Sequence, residues 1–352
     1  MSLVIPLALQ APYEQLAILS TTTAQRYVEV AGVLQPVLPA EAFERWTYYC
    51  LQLARAGWRA WESADAFLQV SPFLYQRMSL ADVWAWAEQG LTLTQHAAEV
   101  ATAFFGAARV LLQEASQAVF NAWVAGSHAY LALQPPLPSL AAEYLRLSPL
   151  MYGHYAESVA TQWGHLGVAL ARAGAAYGQT FLLLSRTHLD RAPAIDHAPA
   201  WAFVQQCLLP APAVALDYLA RYADLTHYVG PAGMALIATI VQCLLTSMAA
   251  QATLLLRLLG STLALIPALE RQQVLTWCQE IAAVSPSGVL DFVRHLPDLQ
   301  RRLPGPRLQP WVTTGVALAR RNAEAGQAYF ALESATAQDS MQALQKRVTF
   351  AS

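Results

Sequence analysis

Two groups of side chains in this sequence are typed and spaced so that they could do chemistry. His188, Asp190, Asp196 and His197 bring two imidazoles and two carboxylates into ten residues, a mixed donor set of the kind that holds a divalent ion. Nothing in the spacing orients them as a helical His-x-x-x-His would. They read as polar residues of a proline-containing surface loop, and no metal site is assigned. The second group is Arg294, Arg301, Arg302, Arg307, Arg320 and Arg321, the densest concentration of charge in the chain. Guanidinium groups grip carboxylates and phosphates through a rigid fork of donors, so these six are the candidate partner-binding residues. The competing reading is a solvated terminal repeat partly neutralised by Asp291, Asp298 and Glu324, whose surface ion pairs would contribute little.

Catalytic arrangements are not signalled. His96, His128, His154, His165, His227 and His295 stand singly in helical segments, which suits partly buried packing histidines. There is no Gly-x-Ser-x-Gly elbow, no His-Glu-x-x-His and no singled-out carboxylate pair. The basic residues are twenty arginines and one lysine, Lys346, with no glycine-rich turn before it, and this excludes a P-loop. The chain is therefore expected not to be an enzyme, with no catalytic residue and no cofactor assigned. Cys50, Cys207, Cys243 and Cys278 lie far apart without a Cys-x-x-Cys pair, as expected for buried thiols in a reducing, cytoplasmic setting. The start of the chain shows no basic n-region or cleavage site, so secretion is not expected.

The elements that must position these groups follow from composition and periodicity. The 352 residues are 56% apolar and only 12% charged, with a net charge of −2. This excludes disorder and offers no broad attraction to nucleic acid or anionic membrane. Mean hydropathy is +0.32, and no charged side chain occurs from Tyr228 to Leu256, a length that could span a bilayer. Thr239, Gln242, Thr246, Ser247, Gln251 and Thr253 interrupt it, without an aromatic belt or flanking basic cluster. A buried helix of a large helical protein is the expected reading.

Trp46, Trp86, Trp123, Trp163, Trp201, Trp277 and Trp311 are separated by 40, 37, 40, 38, 76 and 34 residues. The 76-residue step is two steps of 38 with the tryptophan replaced near Ile240. Trp-x-x-x-Gly recurs at Trp86, Trp163 and Trp311, and an aromatic residue follows each tryptophan eighteen residues on, at Phe104, Phe181 and Tyr329. Eighteen residues are five α-helical turns, which predicts one long helix per repeat, with the glycine admitting a close neighbour. Ser71-Pro72, Ser148-Pro149 and Ser285-Pro286, with Ser185 and Ser334 at comparable places, predict starts of short second helices. Ser79-Leu-Ala-Asp82 predicts a capped helix start. Connections are expected at 134–138, 186–200, 209–212 and 303–310. With no period-2 run, no sheet is predicted.

The expected fold is an all-α solenoid of Trp-punctuated repeats of roughly 38 residues. A single repeat domain would occupy 1–352, with an atypical cap over 1–40, about eight repeats over 41–345, a tail over 346–352 and a bend at 186–200.

The segment from Trp311 through Gly315, Asn322, Gly326, Tyr329 and Phe330 to Ser334 resembles the helical region preceding the von Willebrand factor A domain in NorD- and CbbO-type bacterial proteins. Those proteins are companions of MoxR-family AAA+ ATPases. The earlier Trp-x-x-x-Gly repeats and Ser-Pro breaks are similar to the same region, so the likeness extends over 40–345. The Asp-x-Ser-x-Ser metal motif of that A-type domain is missing here, and no metal residue carries over. With its end at Ser352, near where such a domain would begin, the chain resembles the helical half of such a protein or a separated form of it. The resemblance implies an adaptor that helps an ATP-driven remodelling ring engage a client enzyme. Stacked helix pairs independently suit protein binding. The alternative is an apolar-ligand or lipid-binding, membrane-associated helical protein using the uncharged stretch.

Overall fold

Ten of the seventeen described helices share one length, and that constancy explains the repeat. In the computed structural model residues 5–331 are described, except 115, 208–210, 246–247 and 304, along with the side chains of 112–114, 117–118 and 305–307. Ser334, Lys346, the tail 346–352, Thr246, Ser247 and most of the 209–212 connection lie outside the described residues. Among those described, seventeen helices and no strand occur, so the fold is all-α.

Two compact units divide the chain, Met1–Leu182 and Leu183–Ser352. The first holds α1 (Leu7–Ala17), α2 (Thr21–Leu34), α3 (Ala40–Arg55), α4 (Trp61–Arg77), α5 (Leu80–His96), α6 (Ala98–Glu114), α7 (Gln117–Leu131), α8 (Pro138–His154) and α9 (Glu157–Ala173). Next comes α10 (Ala175–Arg191), which begins in the first unit and ends in the second. The second unit continues with α11 (Ala198–Cys207), α12 (Pro212–Leu245), α13 (Ala249–Leu265), α14 (Ala268–Val284), α15 (Pro286–Arg302), α16 (Gly305–Arg321) and α17 (Ala323–Ala331).

Helices α4, α5, α6, α8, α9, α10 and α13 to α16 are each 17 residues long, about 25 Å of rise. Two such helices with their short turns account for the sequence period. The starts of α4 and α6, of α8 and α10, and of α14 and α16 are each 37 residues apart. In the first unit α2, α4, α6 and α8 pack in succession, as do α1, α3 and α5, while each odd helix up to α7 packs on the even helix that follows. In the second, α13, α15 and α17 pack in succession and α14 packs on both α12 and α16. Neighbour-only packing of this kind is compatible with a solenoid.

The periodic tryptophans occur one to a helix pair, on α3, α5, α7, α9, α11, α14 and α16, and all are buried. Ile240, at the place of the missing one, is fully buried too. The expectation of one long helix from each tryptophan to the aromatic residue eighteen places on is overturned. Along a straight helix those rings would lie ~27 Å apart. Instead the centroids of Trp86 and Phe104 are 4.4 Å apart, those of Trp311 and Tyr329 4.9 Å, and those of Trp163 and Phe181 6.4 Å. The chain turns back between them at single residues: Ala97 in an extended conformation, Gly174, and Asn322, whose Oδ1 accepts from the backbone N–H groups of Glu324 and Ala325. The repeat is thus a tight helical hairpin closed by an aromatic pair.

The glycine of Trp-x-x-x-Gly does what its spacing suggests. A Cβ at Gly90 would overlap the Phe105 ring, and one at Gly315 the Phe330 ring. At Gly167 the intruding group is the Tyr130 hydroxyl. Fifteen residues after two of the tryptophans, Gly178 and Gly326 let the returning helix press against the backbone of Ala171 and Ala319.

Of the predicted helix starts, Ser79 caps α5 through its Oγ, which accepts from the Asp82 N–H, and Ser285 precedes α15. Ser71-Pro72 and Ser148-Pro149 lie instead inside α4 and α8, and Ser185 lies inside α10. The two serine hydroxyls donate to the carbonyls of Phe67 and Tyr144 one turn back, at 2.7 and 2.6 Å. Ser71 Oγ also accepts from Trp46 Nε1 at 3.0 Å, tying α4 to α3. Two expected connections shrink for a related reason. Helix α10 runs on to Arg191, leaving 192–197 between helices, and α16 starts at Gly305 and absorbs Pro310.

The uncharged stretch from Tyr228 to Leu256 is divided between α12 and α13. As a whole α12 is long and apolar enough to cross a membrane, and one third of its most apolar window is buried. It is not one rod, however. Gly230 takes a left-handed φ of 66° before Pro231, and the Tyr218 hydroxyl donates to the Met234 carbonyl at 3.5 Å. Sixteen residues of straight helix would separate those groups by ~24 Å, so α12 is a hairpin of two arms. Arg271 on α14 holds the reversal, donating from Nη1 to the Tyr228 carbonyl at 3.1 Å and from Nε to the Ile266 carbonyl at 3.0 Å, with its guanidinium 5.2 Å from the Tyr228 ring centre.

Polar links between repeats join positions about one period apart. Examples are the ion pair of Arg26 with Asp65, the Tyr49 hydroxyl donating to Glu88, Ser139 to Glu99, and Gln273 to Gln309.

Candidate functional site: a cleft on α14 to α16 and the arginines of α15

The six arginines do not gather into one patch. Arg294, Arg301 and Arg302 lie on α15, while Arg307, Arg320 and Arg321 lie on α16. Arg307 falls in the first turns of α16, and its side chain lies outside the described residues. Arg320 and Arg321 are exposed at the other end of that helix, ~20 Å of rise from position 307. Arg294 sits two turns before Arg301 and pairs with Asp291 at 3.3 Å.

Arg301 and Arg302 stand apart from the rest by what surrounds them. They follow Gln300 and precede Leu303, and both of those residues line a cleft of about 510 Å³. The first half of α14 supplies Glu270, Gln273 and Trp277 to its wall, and the start of α16 supplies Leu308 and Gln309. The α14 and α16 walls are held at a fixed spacing by Trp277 Nε1, which donates to Gln309 Oε1 at 2.8 Å. Because an indole nitrogen only donates, this bond fixes which way the Gln309 amide faces. Its oxygen is turned to Trp277 and its NH₂ group outward. Gln273 Nε2 reaches the same oxygen at 3.5 Å, leaving the Gln273 carbonyl as an outward acceptor. Gln300 donates to Glu270 across the cleft at 3.1 Å.

Charge in the last turn of α15 is unevenly compensated. Arg301 is 76% exposed, pairs with Asp298 on its own helix and donates to the Pro297 carbonyl. Arg302 is exposed and makes no ion pair among the described residues. Both lie in the last turn of α15, where cations complement the helix dipole. The cleft lining therefore combines Trp277 and Leu308 with the amides of Gln273, Gln300 and Gln309 and the Glu270 carboxylate, while Arg301 and Arg302 leave the same turn of α15 on its exposed side. No spacing rule in the sequence could have found it, since its walls come from three helices.

The other cluster resolves differently. Asp190 faces Arg186 at 4.0 Å, and Asp196 Oδ1 accepts from the Ala198 N–H at the start of α11. His188 and His197 are buried and stacked, with ring centres 4.6 Å apart and planes 14° from parallel. Imidazole lone pairs lie in the ring plane, so a stacked pair does not converge on one ion. No group of three or more His, Cys, Asp or Glu side chains forms a ligand set among the described residues. Burial, and after it the neighbouring His197, hold the His188 pKa down at about 4. Burial likewise pushes up the thiols of Cys50, Cys207 and Cys278, leaving them poor nucleophiles.

Comparison of this chain with family models, with curated proteins and with solved structures returns no match.

Proposed function

We propose that this chain is a non-catalytic adaptor that binds protein partners, holding an acidic partner segment against the exposed end of α15 beside the α14–α16 cleft. The observation that carries this reading is the exposure of Arg301 and Arg302 in the last turn of α15, between Gln300 and Leu303 of the cleft lining, with Arg302 in no ion pair among the described residues. The resemblance of the segment beginning at Trp311 suggests the partner, a MoxR-type AAA+ ATPase or its client enzyme in a cytoplasmic enzyme-activation system. That segment begins two residues after Gln309 of the cleft wall and runs through the rest of α16 and α17.

The test is affinity capture by the wild-type chain and by an Arg301→Glu/Arg302→Glu variant, with and without a slowly hydrolysed ATP analogue, read by protein and lipid mass spectrometry. The wild type is expected to retain a AAA+ ATPase or its client, and the variant to lose it while unfolding at the same temperature. Equal retention by both proteins overturns the cleft reading. A second reading, apolar-ligand or membrane association, rests on α12, of whose most apolar window only a third is buried. A stoichiometric lipid in the same eluate, without a protein partner, would favour it.

A further inference from the structure

The most exposed tryptophan among the described residues lies in the first unit, whereas the cleft just described belongs to the second. Trp58 is 89% exposed, whereas the seven periodic tryptophans are at most 6% exposed. It stands in the turn between α3 and α4, followed by Arg59 with a left-handed φ of 56°, a conformation a non-glycine residue adopts only when its surroundings hold it there. The indole sits at the edge of a cleft of about 430 Å³ that runs from this turn to the turn between α5 and α6, with Glu62, Gln95, His96 and Glu99 in its lining.

Charge in this cleft is mostly negative. Arg59 pairs with Glu62 through Oε1, and Glu99 accepts from the Ser139 hydroxyl through Oε1 at 3.2 Å. The second oxygen of each carboxylate makes no hydrogen bond among the described residues. An exposed indole face beside carboxylate oxygens with spare acceptor capacity is matched by a planar cation. A guanidinium stacks on the ring and donates in its own plane to the carboxylates, which an ammonium cannot do. We infer that this cleft binds an arginine side chain of a partner segment, with Trp58 as the stacking surface and Glu62 and Glu99 as the acceptors. The inference does not rest on the α14–α16 cleft, and either can fail alone.

The probe is the peptide acetyl-Gly-Gly-Arg-Gly-Gly-amide with a ¹⁵N-labelled guanidinium, titrated with the full chain and observed by NMR, beside its lysine and citrulline counterparts. Saturable binding of the arginine peptide is expected, several-fold weaker binding of lysine, and none of neutral citrulline. Trp58→Ala is expected to weaken the arginine peptide about tenfold and Glu99→Gln about threefold. Since Trp58 is exposed, its replacement should leave thermal unfolding unchanged, which separates lost binding from lost folding. Equal binding of arginine and citrulline peptides, or wild-type affinity in both variants, overturns the inference. So does Trp58-dependent binding of phosphatidylcholine vesicles without peptide binding, because the exposed indole would then serve a lipid headgroup.

Discussion

Acid should weaken this protein through His188, and by an amount that can be worked out in advance. The side chain is 6% exposed, and its pKa in the folded chain is about 4 against an ordinary 6.5. Unfolding exposes it, so between those two values the unfolded chain carries a proton that the folded chain does not. Stability is therefore full above about pH 6.5, falls as the pH drops, and stops falling from this source below about pH 4. A gap of about 2.5 pH units at about 1.36 kcal/mol each gives ~3 kcal/mol in all. The groups facing the imidazole do not offset this. His197 stacks on it, Tyr222 on α12 lies 5.7 Å from His197 and is held neutral by burial, and Asp196 is engaged at the start of α11. On its own helix Asp190 and Arg186 are exposed and face each other. Urea unfolding of the wild type and of His188→Gln, compared at pH 7 and at pH 4.5, isolates the effect because the carboxylates are common to both. The wild type should lose about 2–3 kcal/mol more than the variant over that interval. Parallel losses in the two proteins would show that His188 takes up its proton as readily folded as unfolded, and the reasoning would be wrong.

Three further outcomes follow from the packing. Gly90→Ala should cost about 1–3 kcal/mol in urea unfolding, because its Cβ would overlap a fully buried Phe105 ring, whereas Gly106→Ala, with nothing within 4 Å, should gain up to about 1 kcal/mol. Arg271→Ala removes the donors to the Tyr228 and Ile266 carbonyls. It should cost about 1–3 kcal/mol, and hydrogen exchange should speed up around Gly230 before anywhere else in α12. Aromatic disulfide reagents should modify Cys243, which is partly exposed, before the buried Cys50, Cys207 and Cys278. Peptide mapping of briefly treated native protein checks the order.

Helix content and the repeat were legible in the sequence because tryptophan is large and must be buried somewhere periodic. The six tryptophan spacings, five near 38 residues and one twice that, are the spacing of helix pairs, and Trp-x-x-x-Gly marks where an aromatic ring meets a helix backbone. The direction of the chain between Trp163 and Phe181 was not legible. Eighteen residues fit five helical turns, but they equally fit two half-length arms folded about one residue, and Gly174, Ala97 and Asn322 share no side-chain type to signal the turn. Serine before proline was ambiguous for a similar reason. At Ser285 it precedes a helix, while at Ser71 and Ser148 the hydroxyl bonds back to a carbonyl within one. Of the candidate site, sequence density singled out six arginines, and three dimensions spread them over α15 and α16, leaving two side by side in the last turn of α15. The amides that give the cleft its character were invisible until Trp277 and Gln309, 32 residues apart, were brought to hydrogen-bonding distance.

The links between repeats have a consequence for how the chain is made. Ser139 reaches back 40 residues to Glu99, Tyr49 reaches forward 39 to Glu88, and Arg271 reaches back 43 to Tyr228. A ribosome adding on the order of ten residues each second would deliver the partner for such a bond within a few seconds of the group that awaits it. Each hairpin can then settle on its predecessor while the rest is still being synthesised, and an apolar, charge-poor chain spends little time with its tryptophans bare.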